Sequence, residues 1–181
     1  MTQNYNHIPT PSFKGKLYLS DVYGINFLKE LNIGYAISLF PVLENQTIPE
    51  SIKHDEVKIS DRSDVETILK MNSILNNISL KIAHNLSNNI NVLVHCFAGV
   101  SRSATVVCDF ICKYEPTLLS GDTGPEAPDV LRTELPSVAI TNKVESSIEY
   151  VKKFRQNINP NHGFIKLLKI RNTRLQHIDL I

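Results

Sequence analysis

Val92-Leu93-Val94-His95-Cys96-Phe97-Ala98-Gly99-Val100-Ser101-Arg102-Ser103, running on into Ala104 to Tyr114, is the stretch that decides how this chain folds. Val92-Leu93-Val94 is a short unbroken apolar run, of the kind buried on both faces at the centre of an α/β sheet, and residues 104–114 read as a helix. A strand that stops at a cysteine, turns through a short loop holding Gly99 and enters a helix aims several backbone N–H groups at one point, where the helix dipole also favours negative charge. This outline is an anion cradle. Arg102 stands six positions after Cys96, so its planar guanidinium can curl over the cradle and grip two phosphate oxygens. The amides and Arg102 together favour a thiolate over a thiol at Cys96, which makes it the candidate nucleophile.

Working outward, Lys16 to Leu19 reads as a first strand, Tyr23 to Leu31 as a helix carrying Ile25, Leu28 and Leu31 on one face, and Tyr35 to Phe40 as a second strand. Asn32 and Gly34 supply the stop between the last two. From His54, Val57 and Ile59 alternate with Glu56 and Lys58 as in a half-buried strand, which breaks at Ser60-Asp61-Arg62-Ser63 and so leaves Asp61 on a loop. Ile68, Met71, Ile74, Leu75, Ile78, Ile82 and Leu86 recur at helical spacing, giving a long amphipathic helix over Asp64 to Ser87, capped by Ser63 and ended at Asn88-Asn89. Two further helices are expected over Thr141 to Arg155 and Phe164 to Ile178, with a turn at Asn159 to Gly163. The fold class that follows is α/β, a single domain with a central, mostly parallel twisted sheet of about five strands flanked by helices. Residues 1–14, with Pro9 and Pro11, read as a flexible amino-terminal arm, residues 15–181 as the domain, and about 115–140, rich in Pro and Gly, as an inserted loop.

At 181 residues and 42% hydrophobic composition the chain has one domain's worth of core. A net charge of +1 with mixed signs argues against nucleic acid and anionic membrane as partners, and no apolar run reaches the roughly 18 residues needed to cross a bilayer. Three cysteines form no disulfide framework, which points to a reducing intracellular compartment, the cytoplasm, with the nucleus left open. Cys108 and Cys112 fall on one apolar helix face as packing residues. A helix rise of ~1.5 Å per residue carries Cys108 beyond the roughly 7 Å limit for bridging to Cys96. His7, His54, His84 and His177 have no ligand spacing, and surface or packing roles are expected for them.

The cradle resembles that of the cysteine-based protein tyrosine phosphatase superfamily, and within it the dual-specificity phosphatases, through His95, Cys96, Gly99, Ser101, Arg102 and Ser103. Leu17-Tyr18-Leu19, Asp61 after a strand, Ile158-Asn159-Pro160-Asn161 and Gly163-Phe164 match further family landmarks in order. The resemblance implies that Cys96 attacks phosphorus. The amides of Phe97, Ala98, Gly99, Val100, Ser101 and Arg102, with the Arg102 side chain, would hold the phosphate oxygens, and Asp61 would protonate the leaving oxygen and then activate water. It implies also that Ser103 stabilises the departing thiolate, that His95 and Asn161 support the site, and that no metal or other cofactor is needed. Asp55 and Asp64 lie near Asp61, but only Asp61 directly follows the alternating strand. Apolar Phe97, Ala98 and Val100, where phosphoinositide-directed relatives carry lysines, favour a phosphorylated protein substrate. The lack of a tyrosine-rich upstream loop implies a shallow pocket that accepts phosphoserine, phosphothreonine and phosphotyrosine. The alternatives are a phosphate-reading pseudophosphatase, and the same chemistry on RNA 5′ or lipid phosphates.

Overall fold

The computed structural model describes residues 4–119 and 136–175. Five strands, β1 (Tyr5–Ile8), β2 (Leu17–Ser20), β3 (Ile33–Ser38), β4 (Lys53–Glu56) and β5 (Asn91–His95), form one sheet in the order β1-β2-β5-β3-β4. Only the β1–β2 pair is antiparallel. The helices are α1 (Val65–Ser87), α2 (Arg102–Tyr114), α3 (Pro136–Lys152) and α4 (His162–Leu175). β5 is central, as its unbroken apolar run requires, because Val92 to His95 are buried whichever face they point to.

Strand periodicity sorts the core into two layers. Leu17, Leu19, Tyr35, Ile37, Val92 and Val94 face all four helices, through Met71, Leu75 and Ile82 of α1, Val107 and Phe110 of α2, Val144 and Val151 of α3, and Phe164 and Leu168 of α4. Tyr18, Ile33, Ala36 and Leu93 face the other way, onto Ile25, Leu28 and Leu31. That second face is covered by a 3₁₀ helix, Val22–Phe27, rather than by the α-helix expected over Tyr23 to Leu31. Buried Val22 and Ile25 stand three apart on it, which suits the three-residue turn of a 3₁₀ helix, and Leu28 and Leu31 follow beyond its end. Asp21 caps it by accepting from the Tyr23 amide at 2.9 Å.

Three other expectations are corrected. The amino-terminal arm is part of the fold: Tyr5–Ile8 pairs with Leu17–Ser20, Ile8 is fully buried, and Phe13 packs on Phe110 at 5.4 Å between ring centroids. The cap of α1 is Asp64, whose carboxylate accepts from the amide and hydroxyl of Thr67, whereas Ser63 turns away to Asn161. The carboxylate of Asp64 reaches the third helical amide from an extended backbone, the geometry an N-cap demands. Most of the expected insert at 115–140 lies outside the described residues. Its base is fixed, since fully buried Glu115 accepts from the Ser12 amide and hydroxyl at 3.0 and 2.8 Å, and Pro136 opens α3 five residues before the expected start at Thr141. The expected helix end at Ile178 lies outside the described residues. Of the expected stops, Asn32 and Asn89 take left-handed backbone, at φ 50° and 59°, whereas Gly34 lies inside β3.

Candidate active site

The loop between β5 and α2 is held open by its carbonyls. Phe97 O accepts from Val22 N at 3.0 Å, and Val100 O from Asn159 N at 2.8 Å. Ala98 O and Gly99 O accept from Arg155, at 3.2 and 2.9 Å. Ser101 O accepts from the amide and the hydroxyl of Thr105, both at 2.8 Å. In a planar trans peptide the N–H points opposite to the C=O, so five outward carbonyls turn the following five amides, Ala98 to Arg102, into the loop. Gly99 makes the turn possible, with φ +64° and no room for a Cβ, which would stand 2.6 Å from the Ser20 backbone and 2.7 Å from Arg155.

Cys96 is buried, with its Sγ 3.1 Å from Ser103 Oγ. Arg102, at the first position of α2, is 9% exposed. Its Nη1 donates to Ile59 O at 3.0 Å, its Cζ lies 5.3 Å from the centre of the Phe40 ring, and its buried Nε makes no hydrogen bond. A buried guanidinium with an unused donor is poised for an anion. Between Phe40-Pro41 and Lys58 to Arg62 runs a groove of about 430 Å³ with Arg102 in its wall.

Asp61 opens onto that groove. Its Oδ1 accepts from Ser101 Oγ at 2.6 Å and from Asn161 Nδ2 at 2.8 Å, while Ser101 Oγ also accepts from the Asn161 amide at 3.0 Å. Asn161 is itself fixed at the start of α4, its Oδ1 accepting from Phe164 N at 3.0 Å. The two competing carboxylates are committed elsewhere: Asp55 accepts from Tyr35 and Lys81, and Asp64 caps α1. Lys58 and Arg62, the other cations of the groove, pair with Glu56 and Asp64.

His95 is fully buried at the end of β5, and burial pushes its ring down to about 4. Its Nε2 lies 2.6 Å from Ser38 Oγ, which lies 2.7 Å from His54 Nε2. His54, expected to be a surface or packing residue, is thus two hydrogen bonds from the residue that precedes Cys96. Sequence reading missed three residues here. Arg155 and Ser38 meet the site only through tertiary contacts, 56 and 57 positions from their partners Gly99 and His95; His54 gave no spacing to follow. Cys108 and Cys112 are buried core residues, and burial raises both thiols, Cys112 to about 11. Among the described residues no cluster of His, Cys, Asp or Glu has the makings of a metal site.

The dual specificity phosphatase catalytic domain family matches residues 17–120. The chain is 28% identical over 138 residues to the tyrosine-protein phosphatase yvh1 of Schizosaccharomyces pombe, covering 76% of this chain and 33% of that protein. It is 29% identical over 147 residues to a probable dual specificity protein phosphatase of Dictyostelium discoideum, covering 80% and 52%. It therefore spans between a third and about half of those relatives' lengths. The Yvh1 phosphatase domain of Chaetomium thermophilum superposes with a TM-score of 0.62 at 23% identity, covering 92% of this chain and 94% of that one. Human DUSP28 superposes at 0.68 and 15% identity, covering 97% of both.

Proposed function

Because the chain belongs to the dual specificity phosphatase catalytic-domain family, we propose that it hydrolyses phosphate monoesters of phosphotyrosine, phosphoserine and phosphothreonine in proteins, by way of a phosphocysteine. The observation that carries this reading is the loop with five outward-tied carbonyls, closed around a buried cysteine and a buried arginine with a spare donor. In the first step the Cys96 thiolate attacks phosphorus. An S–P bond forms as the P–O bond breaks, and Asp61 gives its proton to the departing hydroxyl oxygen. The loop amides and Arg102 hold the three equatorial oxygens as their charge spreads. In the second step Asp61, now ionised, takes a proton from water as that water attacks phosphorus. The S–P bond breaks, and Ser103 donates to the leaving sulfur.

The bonds from Ser101 and Asn161 hold the Asp61 carboxylate against the cradle, which supports its assignment over Asp55 and Asp64. Pairing of Lys58 and Arg62 with carboxylates leaves the groove without a surplus of free cations, which supports protein rather than polyphosphorylated lipid substrates. Three free, buried thiols suit a reducing compartment such as the cytoplasm. The test is hydrolysis of para-nitrophenyl phosphate in EDTA and reductant, then of phosphopeptides, by the native chain, Cys96→Ser and Asp61→Ala. The expected result is turnover that is abolished in Cys96→Ser and at least ~10²-fold lower in Asp61→Ala. A native chain that binds phosphopeptides and turns none over would replace the phosphatase reading with that of a binding module.

A further inference from the structure

We propose that His54 is a positioning residue for this site: through Ser38 it fixes which nitrogen of His95 carries the proton, and thereby orients the peptide of Cys96. The proposal rests on the phosphatase reading for its meaning, but its geometry is independent of turnover. Ser38 Oγ sits between two ring nitrogens, His95 Nε2 at 2.6 Å and His54 Nε2 at 2.7 Å. A hydroxyl has one proton and two lone pairs, and Ser38 Oγ has no third partner among the described residues to take its proton, so it donates to one ring and accepts from the other. The two bonds therefore share a direction, either from His54 inward or from His95 outward.

The inward direction is the one that gives His54 this role. His95 Nδ1 is buried with no hydrogen-bond partner; burial lowers the ring most, while the Cys96 backbone beside it favours a proton there. With the proton on Nδ1, a neutral His95 offers a lone pair at Nε2, and Ser38 O–H donates into it. Ser38 Oγ must then accept from an N–H at His54 Nε2. Each donor thus points from the sheet edge toward the nucleophile, from β4 through β3 to β5.

The charges around the relay agree with this direction. Burial lowers His54, while Glu56 and Asp55, which follow it on β4, partly offset this by favouring a proton on its ring. Burial above all keeps His95 neutral and able to accept at Nε2, with His54 and Arg102 of α2 adding to it and Glu56 opposing it. Neutral or protonated, His54 can present an N–H to Ser38, so the direction survives a change in its charge. Reversal would turn the His95 Nδ1 lone pair onto the Cys96 backbone. That peptide leads directly into the cradle, where a small misplacement of the sulfur is costly.

The test uses the full chain in four forms: native, His54→Leu, which removes the donor, His54→Gln, which restores an N–H on a side chain of similar reach, and Ser38→Ala. Ring ¹⁵N shifts report the His95 tautomer, and the rate of Cys96 alkylation by iodoacetate across pH 5 to 9 reports the nucleophile without any phosphatase assay. The expected result is a native His95 with its proton on Nδ1, and a loss of that preference in His54→Leu and Ser38→Ala. Alkylation at pH 6 should slow at least ~3-fold in both, with His54→Gln recovering to within about 2-fold of native. The same tautomer and alkylation profile in His54→Leu as in the native chain would overturn the proposal, as would failure of His54→Gln to recover. A native chain that shows the tautomer and the alkylation difference but no turnover would sink the phosphatase reading and leave the relay standing.

Discussion

Replacing Arg155 tests whether the cradle is held from outside. Arg155 is 5% exposed, and its guanidinium donates to Gly99 O, to Ala98 O and to Asn6 Oδ1, at 2.9, 3.2 and 2.8 Å. Arg155→Met keeps much of the packed stem and deletes all three bonds. Each hydrogen bond from a charged donor contributes ~1.5–3 kcal/mol, and each buried carbonyl left without a donor costs ~1–3 kcal/mol. Because these overlap, the expected loss of stability is ~3–5 kcal/mol, read from urea unfolding. The functional loss is separate: two peptides no longer anchored outward are free to present carbonyls to the phosphate. Loss of one donor to a developing anion costs ~10²-fold or more, so kcat/KM on para-nitrophenyl phosphate should fall at least ~10²-fold at a temperature where the variant is folded. Arg155→Lys should recover little, because one ammonium cannot serve three acceptors in a fork. Asn6→Ala removes the side-chain contact to the first strand and should leave kcat/KM within ~3-fold of native. A folded Arg155→Met with kcat/KM within ~3-fold of native would refute the idea that these carbonyls set the amides.

Gly99→Ala forces a Cβ to within 2.7 Å of the Ser20 backbone at a left-handed φ. It should reduce phosphate or vanadate binding at least ~10-fold in a protein that still folds, and unaltered inhibition constants would count against the loop geometry. Asp109 is fully buried and accepts from Arg171, Lys113 and Ser79 at 2.8–2.9 Å. Asp109→Asn leaves two nearly buried cations without their carboxylate, so urea unfolding should show a loss of ~3–5 kcal/mol, and a loss under ~1 kcal/mol would contradict this. The depressed His95 predicts a pH effect of definite sign. Folding favours the neutral ring, so its contribution is complete above the unfolded value of 6.5 and is lost as pH falls toward the folded value of about 4. Between pH 7.5 and 4.5 the stability of the native chain should fall by about 2–3 kcal/mol more than that of His95→Gln; parallel curves would show that burial does not hold the ring neutral.

The parts of this fold that can be read from the sequence are those whose cause is local. The strand, cradle and helix over residues 92–114 announce themselves because apolar run, Gly99 and Arg102 are consecutive. Asn32 and Asn89 stop their elements because short polar side chains tolerate the left-handed region that the chain needs there. What cannot be read this way depends on partners far along the chain. Tyr5–Ile8 has the composition of a loose end, and becomes a strand because β2 offers it an edge and Phe110 a place for Phe13. Ser63 and Asp64 are both good caps, and the choice falls to Asp64 because Ser63 is drawn off by Asn161, 98 positions away. The site divides in the same way: Cys96, Arg102 and Ser103 lie on one consecutive strand–loop–helix stretch, whereas Arg155, Ser38 and His54 reach it only through tertiary contacts.

This division bears on how the site keeps its shape. The outward ties of the cradle come from the segment after β2 (Val22), from α2 (Thr105), from the segment after α3 (Arg155) and from the turn before α4 (Asn159). Asp61 is held by the cradle itself and by the first residue before α4. No one of these segments can move without breaking a bond to the loop, so the loop cannot relax alone. A cradle tied to four segments has already met the entropic cost of ordering its amides when the chain folds, and none of that cost falls on the reaction. Charged groups enter the same scheme: burial keeps His95 neutral, and Arg102 gains an unused Nε donor by being walled in by Ile59 and Phe40. The core that buries β5 on both faces is therefore also what holds the loop's carbonyls outward and the Arg102 guanidinium in its buried place.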